Sequence, residues 1–218
     1  MNLSSRQRRL LCFLPAVLLA GGLTGAAPAT NWAHWRGPAE NGSAPNDQLP
    51  QKIDAAQVLW QAALPGKGSS TPIVWNQRIY LTAPAEGKDA LIAFDWNGKL
   101  LWQTPLGPEN PGKHRNGSGS NPSPVTDGQR VFVTFKSGHL AALDLEGKIL
   151  WSANLSEKFG PVKMFWDFGT SPVLTEKNVV LARMHDGESW LAAFDKATGE
   201  LRWKTDRTYR TPREVDQG

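Results

Sequence analysis

From residue 70 onward the apolar positions fall into short runs separated by turn signals, and no stretch carries the spacing of an amphipathic helix. Three windows repeat one order: STPIVWNQRIYLTAPAEGKDALIAFDWNGKLLW, PSPVTDGQRVFVTFKSGHLAALDLEGKILW and TSPVLTEKNVVLARMHDGESWLAAFDKATGELRW. Each opens on Ser/Thr-Pro and an apolar residue, runs through a β-rich stretch and a Gly-containing turn to Ala-x-Asp, then meets a Gly and a closing Trp. The anchors are Pro72, Pro124 and Pro172; Ala93, Ala142 and Ala193; Asp95, Asp144 and Asp195; Gly98, Gly147 and Gly199; Trp102, Trp151 and Trp203. Successive tryptophans lie 49 and 52 residues apart. That period suits four short strands per unit and predicts an all-β β-propeller of four-stranded antiparallel blades, at about residues 70–105, 121–154 and 170–205. In the first blade the strands are expected at 71–75, 78–83, 89–95 and 99–105. Independent hairpins of a sandwich would not repeat five anchors in one order.

The Asp-to-Gly turns have a local cause. An aspartate oxygen can accept from the amide two residues on, and glycine takes the left-handed conformation that closes the hairpin. An alanine at Gly199 is therefore expected to cost about 1–2 kcal/mol. Trp60, in VLWQAALPGKGSSTPIV, has no unit of its own before it. It reads as the outer strand that an N-terminus lends to a blade completed by the C-terminus. Three blades and one closing strand are fewer than a ring commonly needs, so the pattern predicts an incomplete ring within residues 57–218, after an extension at 30–56.

The first 29 residues follow another pattern. Arg6, Arg8 and Arg9 precede an uncharged apolar run from Leu10 to Leu23 that ends among small residues, which reads as a secretory signal peptide cut after Ala29. A retained anchor is the alternative, although the run is short of the roughly 20 residues that span a bilayer. The mature chain is thus expected to have no membrane span and to lie in the periplasm or outside the cell. The single cysteine, Cys12, sits at the front of the apolar run, so the mature chain has no disulfide, thiolate metal site or cysteine nucleophile. Removing three arginines reduces 24 basic against 20 acidic residues to 21 against 20. Nothing in that balance recruits nucleic acid.

AFDKATGELRW, with Ala193, Asp195, Thr198, Gly199 and Trp203, resembles the tryptophan-docking motif of propellers built from pyrroloquinoline quinone (PQQ) repeats. AFDWNGKLLW and ALDLEGKILW are shorter by one residue and lack the threonine. The segment NWAHWRGPAENGSAPNDQLP resembles the start of secreted PQQ-binding-like propeller proteins. The resemblance implies that each indole packs on the neighbouring blade beside the small alanine, a structural role for the whole anchor set. Burying one indole amounts to roughly 4–6 kcal/mol before entropy. It also implies a second reading, a PQQ- and calcium-dependent alcohol or sugar dehydrogenase. The quinoproteins hold PQQ and Ca²⁺ in the funnel beside an aspartate base, yet no Glu, Asn and Asp set here matches calcium ligands. No cofactor is expected under the first reading.

In such propellers the loops from an outer strand to the next inner strand share a face with the second-to-third strand loops. The first kind are long here, TPLGPENPGKHRNGSGSNPS and SANLSEKFGPVKMFWDFGTS, and carry His114, Arg115, Asn116, Lys163, Trp166 and Asp167. The second kind carry His139, Arg183 and His185. Long loops concentrate function, and this mixture suits a protein or polymer ligand, including an anionic or carbohydrate one. The plainer reading is a solvated excursion, with Phe165, Trp166 and Phe168 plugging the funnel. The histidines lack metal-ligand spacing, and no serine elbow, P-loop or dinucleotide glycine pattern is present. The sequence therefore predicts a non-enzymatic binding scaffold, with the quinoprotein dehydrogenase as its alternative.

Overall fold

A computed structural model describes residues 31–43 and 52–208, so the expected signal peptide lies outside the described residues. Twelve strands form three four-stranded antiparallel sheets, each ordered as the chain runs. The first holds β1 (Ile73–Trp75), β2 (Arg78–Ala85), β3 (Lys88–Asp95) and β4 (Leu100–Pro108). The second holds β5 (Val125–Thr126), β6 (Arg130–Thr134), β7 (His139–Asp144) and β8 (Ile149–Asn154). The third holds β9 (Val173–Leu174), β10 (Asn178–Arg183), β11 (Trp190–Asp195) and β12 (Leu201–Asp206). Among the described residues, helix is confined to a 3-10 turn at Ala55–Gln57 and to α1 (Leu155–Phe159), and no helix is long and apolar enough to cross a membrane. The three sheets do not close on themselves, and the architecture is that of an incomplete β-propeller.

Alternation along the strands sends one row of side chains to each face. Ile73, Tyr80, Leu91 and Ala93 of the first sheet meet Val131, Val133, Ala141 and Leu143 of the second. The other face of the second sheet, with Phe132, Leu140 and Ala142, meets Val179, Leu181, Ala192 and Phe194 of the third. In every sheet the alanine lies opposite the tryptophan, in the pairs Ala93–Trp102, Ala142–Trp151 and Ala193–Trp203, and the ladder slips by one residue immediately after it. The slip makes room for the turn. Oδ1 of Asp95, Asp144 and Asp195 accepts from the amide two residues on at 2.9, 3.0 and 2.8 Å, and Gly98, Gly147 and Gly199 have φ of 80°, 87° and 73°.

Those glycines also meet the preceding tryptophan. A methyl group on Gly147 would come within 2.7 Å of the Trp102 ring, and one on Gly199 within 2.6 Å of the Trp151 ring. Trp60 covers Gly98 in the same way, although its segment forms no strand among the described residues. The indole N–H of Trp60 donates to the Trp96 carbonyl at 3.0 Å, and that of Trp151 to the Lys196 carbonyl at 2.9 Å. The Ser/Thr-Pro starts link the sheets as well. The Thr71 amide donates to Ser123 Oγ at 2.8 Å, and the Ser123 amide to Ser171 Oγ at 2.9 Å. The stretch around residue 32 adds a contact that the repeat pattern does not show, an antiparallel bridge between Trp32 and Val74 of β1.

Candidate binding face

The two kinds of loop do meet on one face. The Glu109 amide donates to the Gly87 carbonyl of the β2–β3 turn, the Lys136 amide to Gly119, and the Asp186 amide to Lys163, at 3.0, 3.0 and 2.7 Å. At the centre the Asp167 side chain, only 4% exposed, accepts from the Lys136 ammonium at 2.7 Å. It also accepts from the amides of Lys113 at 2.9 Å and His114 at 3.2 Å. Burial alone would raise this carboxyl, but the Lys136 hydrogen bond and the two amides outweigh it and hold it below the ordinary carboxylate value. The group therefore ties three segments together and offers no free oxygen to solvent. Lys136 was not marked by the repeat comparison. Its signal is a lone lysine at the end of the apolar run VFVTF.

His139 belongs to a second buried cluster. Its Nδ1 lies 3.2 Å from Oδ2 of Asp89 and 2.9 Å from Oγ of Ser137, and Ser137 also donates to Asp89. Asp89 is fully buried. A nucleophilic triad needs serine on one imidazole nitrogen and aspartate on the other. Here both crowd Nδ1, while the Nε2 edge faces Gly107, so the cluster joins the first and second sheets rather than activating a serine. Burial, and then the charge of Asp89, raises the carboxyl of nearby Glu109.

Arg183 is buried in the seam between the second and third sheets, and so is withdrawn from the face. Lys163 and His185 come together, with the Lys163 and Gly187 amides donating to His185 Nδ1 at 3.3 and 2.9 Å. His114 Nδ1 accepts from the Asn116 amide at 3.2 Å. The carbonyls of Arg115 and Asn116 take hydrogen bonds from Lys67 and Ser69. The loop is thereby fastened to the strandless segment after Trp60.

The face exposes an aromatic group. Phe165 and Trp166 are 72% and 61% exposed and meet edge to face at 4.9 Å, while Phe168 is buried in the core. His114 meets the Trp166 ring edge-on at 5.8 Å. With Lys113 these three line a cleft of about 390 Å³. On its other side His114 lines a polar cleft, also of about 390 Å³, shared with Lys67, Glu86, Glu109 and Ser118.

The buried carboxylates of this face are engaged by other groups of the chain. Asp167 is neutralised by Lys136, Asp89 is bound through Oδ2 by Ser137 and His139, and the described residues gather no cluster of three His, Cys, Asp or Glu side chains.

Among solved structures, the chain is similar to the quinohemoprotein alcohol dehydrogenase from Comamonas testosteroni, at 22% identity and a TM-score of 0.61 over 86% of this chain. It spans 29% of that protein's length. BamB from Moraxella catarrhalis is similar at 16% identity and a TM-score of 0.42, over 67% of this chain and 51% of that one. No curated protein matches. The family model described as outer membrane protein assembly factor BamB matches residues 51–216. With its repeats, its open propeller and this match over most of its length, the chain belongs to the BamB family of PQQ-type repeat propellers.

Proposed function

We propose that this protein is an exported, non-enzymatic propeller that binds a protein partner through its long-loop face. The observation that carries the reading is the Phe165–Trp166 pair, held far out of the core on a loop fixed by a buried ion pair. Exposed aromatics on a braced support are what a binding hot spot requires, because little conformational freedom is lost when a partner covers them. His114 packs on Trp166, Arg115 and Asn116 follow it in the same loop, and Lys163 lies two positions before Phe165. Asp167 braces the loop from beneath, His185 holds the neighbouring loop, and His139 and Arg183 serve the seams between the sheets. The family name supports a protein as the ligand, and the Arg6–Leu23 segment supports a place outside the cytoplasm. The Ala, Asp, Gly and Trp anchors, with Thr198, serve to dock neighbouring blades.

A photo-crosslinking residue at position 165 in the producing cell tests the face. A discrete protein adduct that disappears in Trp166→Ala is the expected result. A polysaccharide adduct, or none, overturns the protein reading. Titration of the full-length chain with PQQ and Ca²⁺ tests the dehydrogenase reading, which stoichiometric uptake with dye-linked alcohol or sugar oxidation would establish.

A further inference from the structure

We propose that Arg183 marks an oxyanion site inside the seam between the second and third sheets, one that takes a small carboxylate such as formate or acetate. The site is distinct from the long-loop face. In β10, Val179 and Leu181 point into this seam, and alternation puts Arg183 on the same row. Strand geometry therefore sends a guanidinium where its neighbours send aliphatic groups, and only 2% of Arg183 is exposed.

Its partners leave it incomplete. One guanidinium nitrogen, Nη2, donates to Ser156 Oγ at 2.8 Å, and the guanidinium carbon lies 5.9 Å from the centre of the Trp190 ring system. Among the described residues Nη1 has no acceptor, nor does the indole N–H of the buried Trp190. Among the described residues no carboxylate forms an ion pair with Arg183. Burial lowers its pKa to about 10, so it still carries its charge at neutral pH. A charge in a poorly polarisable interior favours a counter-ion, and a neutral acceptor supplies the hydrogen bond without the charge.

The surroundings limit the ligand's size and give it an approach. Phe159 meets Trp190 edge-on at 5.2 Å. It also lines a cleft of about 300 Å³ with Lys163, His185 and Glu188, which places Trp190, the neighbour of Arg183, behind one aromatic side chain of that wall. The ammonium groups of Lys158 and Lys204 stand 5.6 and 5.8 Å from the Phe159 ring, the latter paired with Asp206. Lys158 and Lys163 outnumber Glu188 at this approach, which favours an anion, and the burial of Arg183 favours a small one.

The test is thermal unfolding of the full-length chain with sodium formate or acetate against sodium chloride at equal ionic strength. A saturable rise in Tm is expected, about 3–6 °C at ten times the dissociation constant. Arg183→Met should abolish it. Trp190→Phe, which keeps the ring and removes one donor, should weaken the dissociation constant about tenfold and serves if the arginine variant does not fold. The proposal is overturned by an equal response to chloride, by a response unchanged in Trp190→Phe, by a response to inorganic phosphate but to neither carboxylate, or by a crystal structure in formate with only water at Nη1.

Discussion

The second and third sheets turn matching rows of side chains towards the next position around the propeller axis. In the second the row is Phe132, Leu140, Ala142 and Trp151, and the third sheet covers it. In the third the row is Val180, Leu191, Ala193 and Trp203, and among the described residues no sheet covers it. Leu191 stays 38% exposed and Trp203 42%, whereas Leu140 is fully buried. Both tryptophans face an alanine across the ladder and follow the same Asp-Gly turn. Their difference lies in what arrives from outside: Trp151 receives Gly199 against its ring and a carbonyl for its N–H. Burial of the indole is thus a property of two consecutive units, although each motif sits within one.

The sharpest way to break this comparison is to remove the two indoles separately. Trp151→Ala should cost about 3–5 kcal/mol, as for a large aromatic lost from a packed interface, and Trp203→Ala about 1 kcal/mol or less. Urea unfolding of the two variants measures the difference. Equal losses would mean that the seam contributes nothing that the motif lacks on its own.

Among the described residues, the covered seam has a polar brace that the open side lacks. Lys136 and Asp167 join the second sheet to the loop that leads into the third, while Met184, at the strand position matching Lys136, stands partly exposed. Asp167→Asn leaves a buried lysine without its counter-charge and should cost about 3 kcal/mol. The acid limb follows from the sign of the shift. The Asp167 carboxyl is held below its unfolded value, so its contribution is complete above the ordinary carboxylate range near about pH 3.9 and is lost as pH falls through the lower folded value. The wild type should therefore lose stability more steeply below about pH 4 than Asp167→Asn does, and parallel acid limbs would remove Asp167 from the brace.

Much of this was legible in the sequence because its causes are local. The Asp-Gly turns, the alanine beside each tryptophan and the three sheets follow from residues a few positions apart. All four strands of the first blade lie where expected, with ends that differ: β1 starts at Ile73 rather than 71, β2 runs on to Ala85 rather than 83, β3 starts at Lys88 rather than 89, and β4 covers Leu100–Pro108 rather than 99–105. The candidate face was harder to read, since loop composition indicates exposure without saying which side chains fold inward. Asp167 and Arg183 read as surface groups because they are charged and sit at or beside loops, yet one is drawn in by Lys136 and the other follows the strand alternation. Asp89, 50 positions from His139, gives no local sign of that contact. The Trp32–Val74 bridge is equally invisible, because no repeat specifies it.

A smaller effect separates backbone conformation from seam contact. Gly87 and Gly199 have φ of 72° and 73°, but nothing lies where a methyl on Gly87 would go, whereas the Trp151 ring occupies that place at Gly199. Gly87→Ala should cost about 1 kcal/mol for the left-handed conformation alone. Gly199→Ala should cost about 1 kcal/mol more, and the excess should vanish in a Trp151→Ala background. An excess that persists there would place the strain in the turn itself.

The smallest expected effect concerns one hydrogen bond that differs between the covered tryptophans. Trp60 and Trp151 each donate to the carbonyl of the residue following the turn aspartate. The matching carbonyl for Trp102 is that of Leu145, but Arg78 already donates to it at 2.8 Å while pairing with Glu146 at 2.7 Å, and the buried Trp102 N–H has no acceptor. Arg78→Met removes the competitor and an ion pair whose Glu146 side is well exposed, a loss of about 0–1 kcal/mol. The carbonyl it releases can accept from Trp102, a gain of about 1 kcal/mol. The two nearly cancel, so stability should change by less than about 0.5 kcal/mol. Hydrogen exchange at the Trp102 indole should slow towards the rate of Trp151. A clear loss of stability with no slowing would show that Arg78 is itself the bond that holds the first two sheets together at this point.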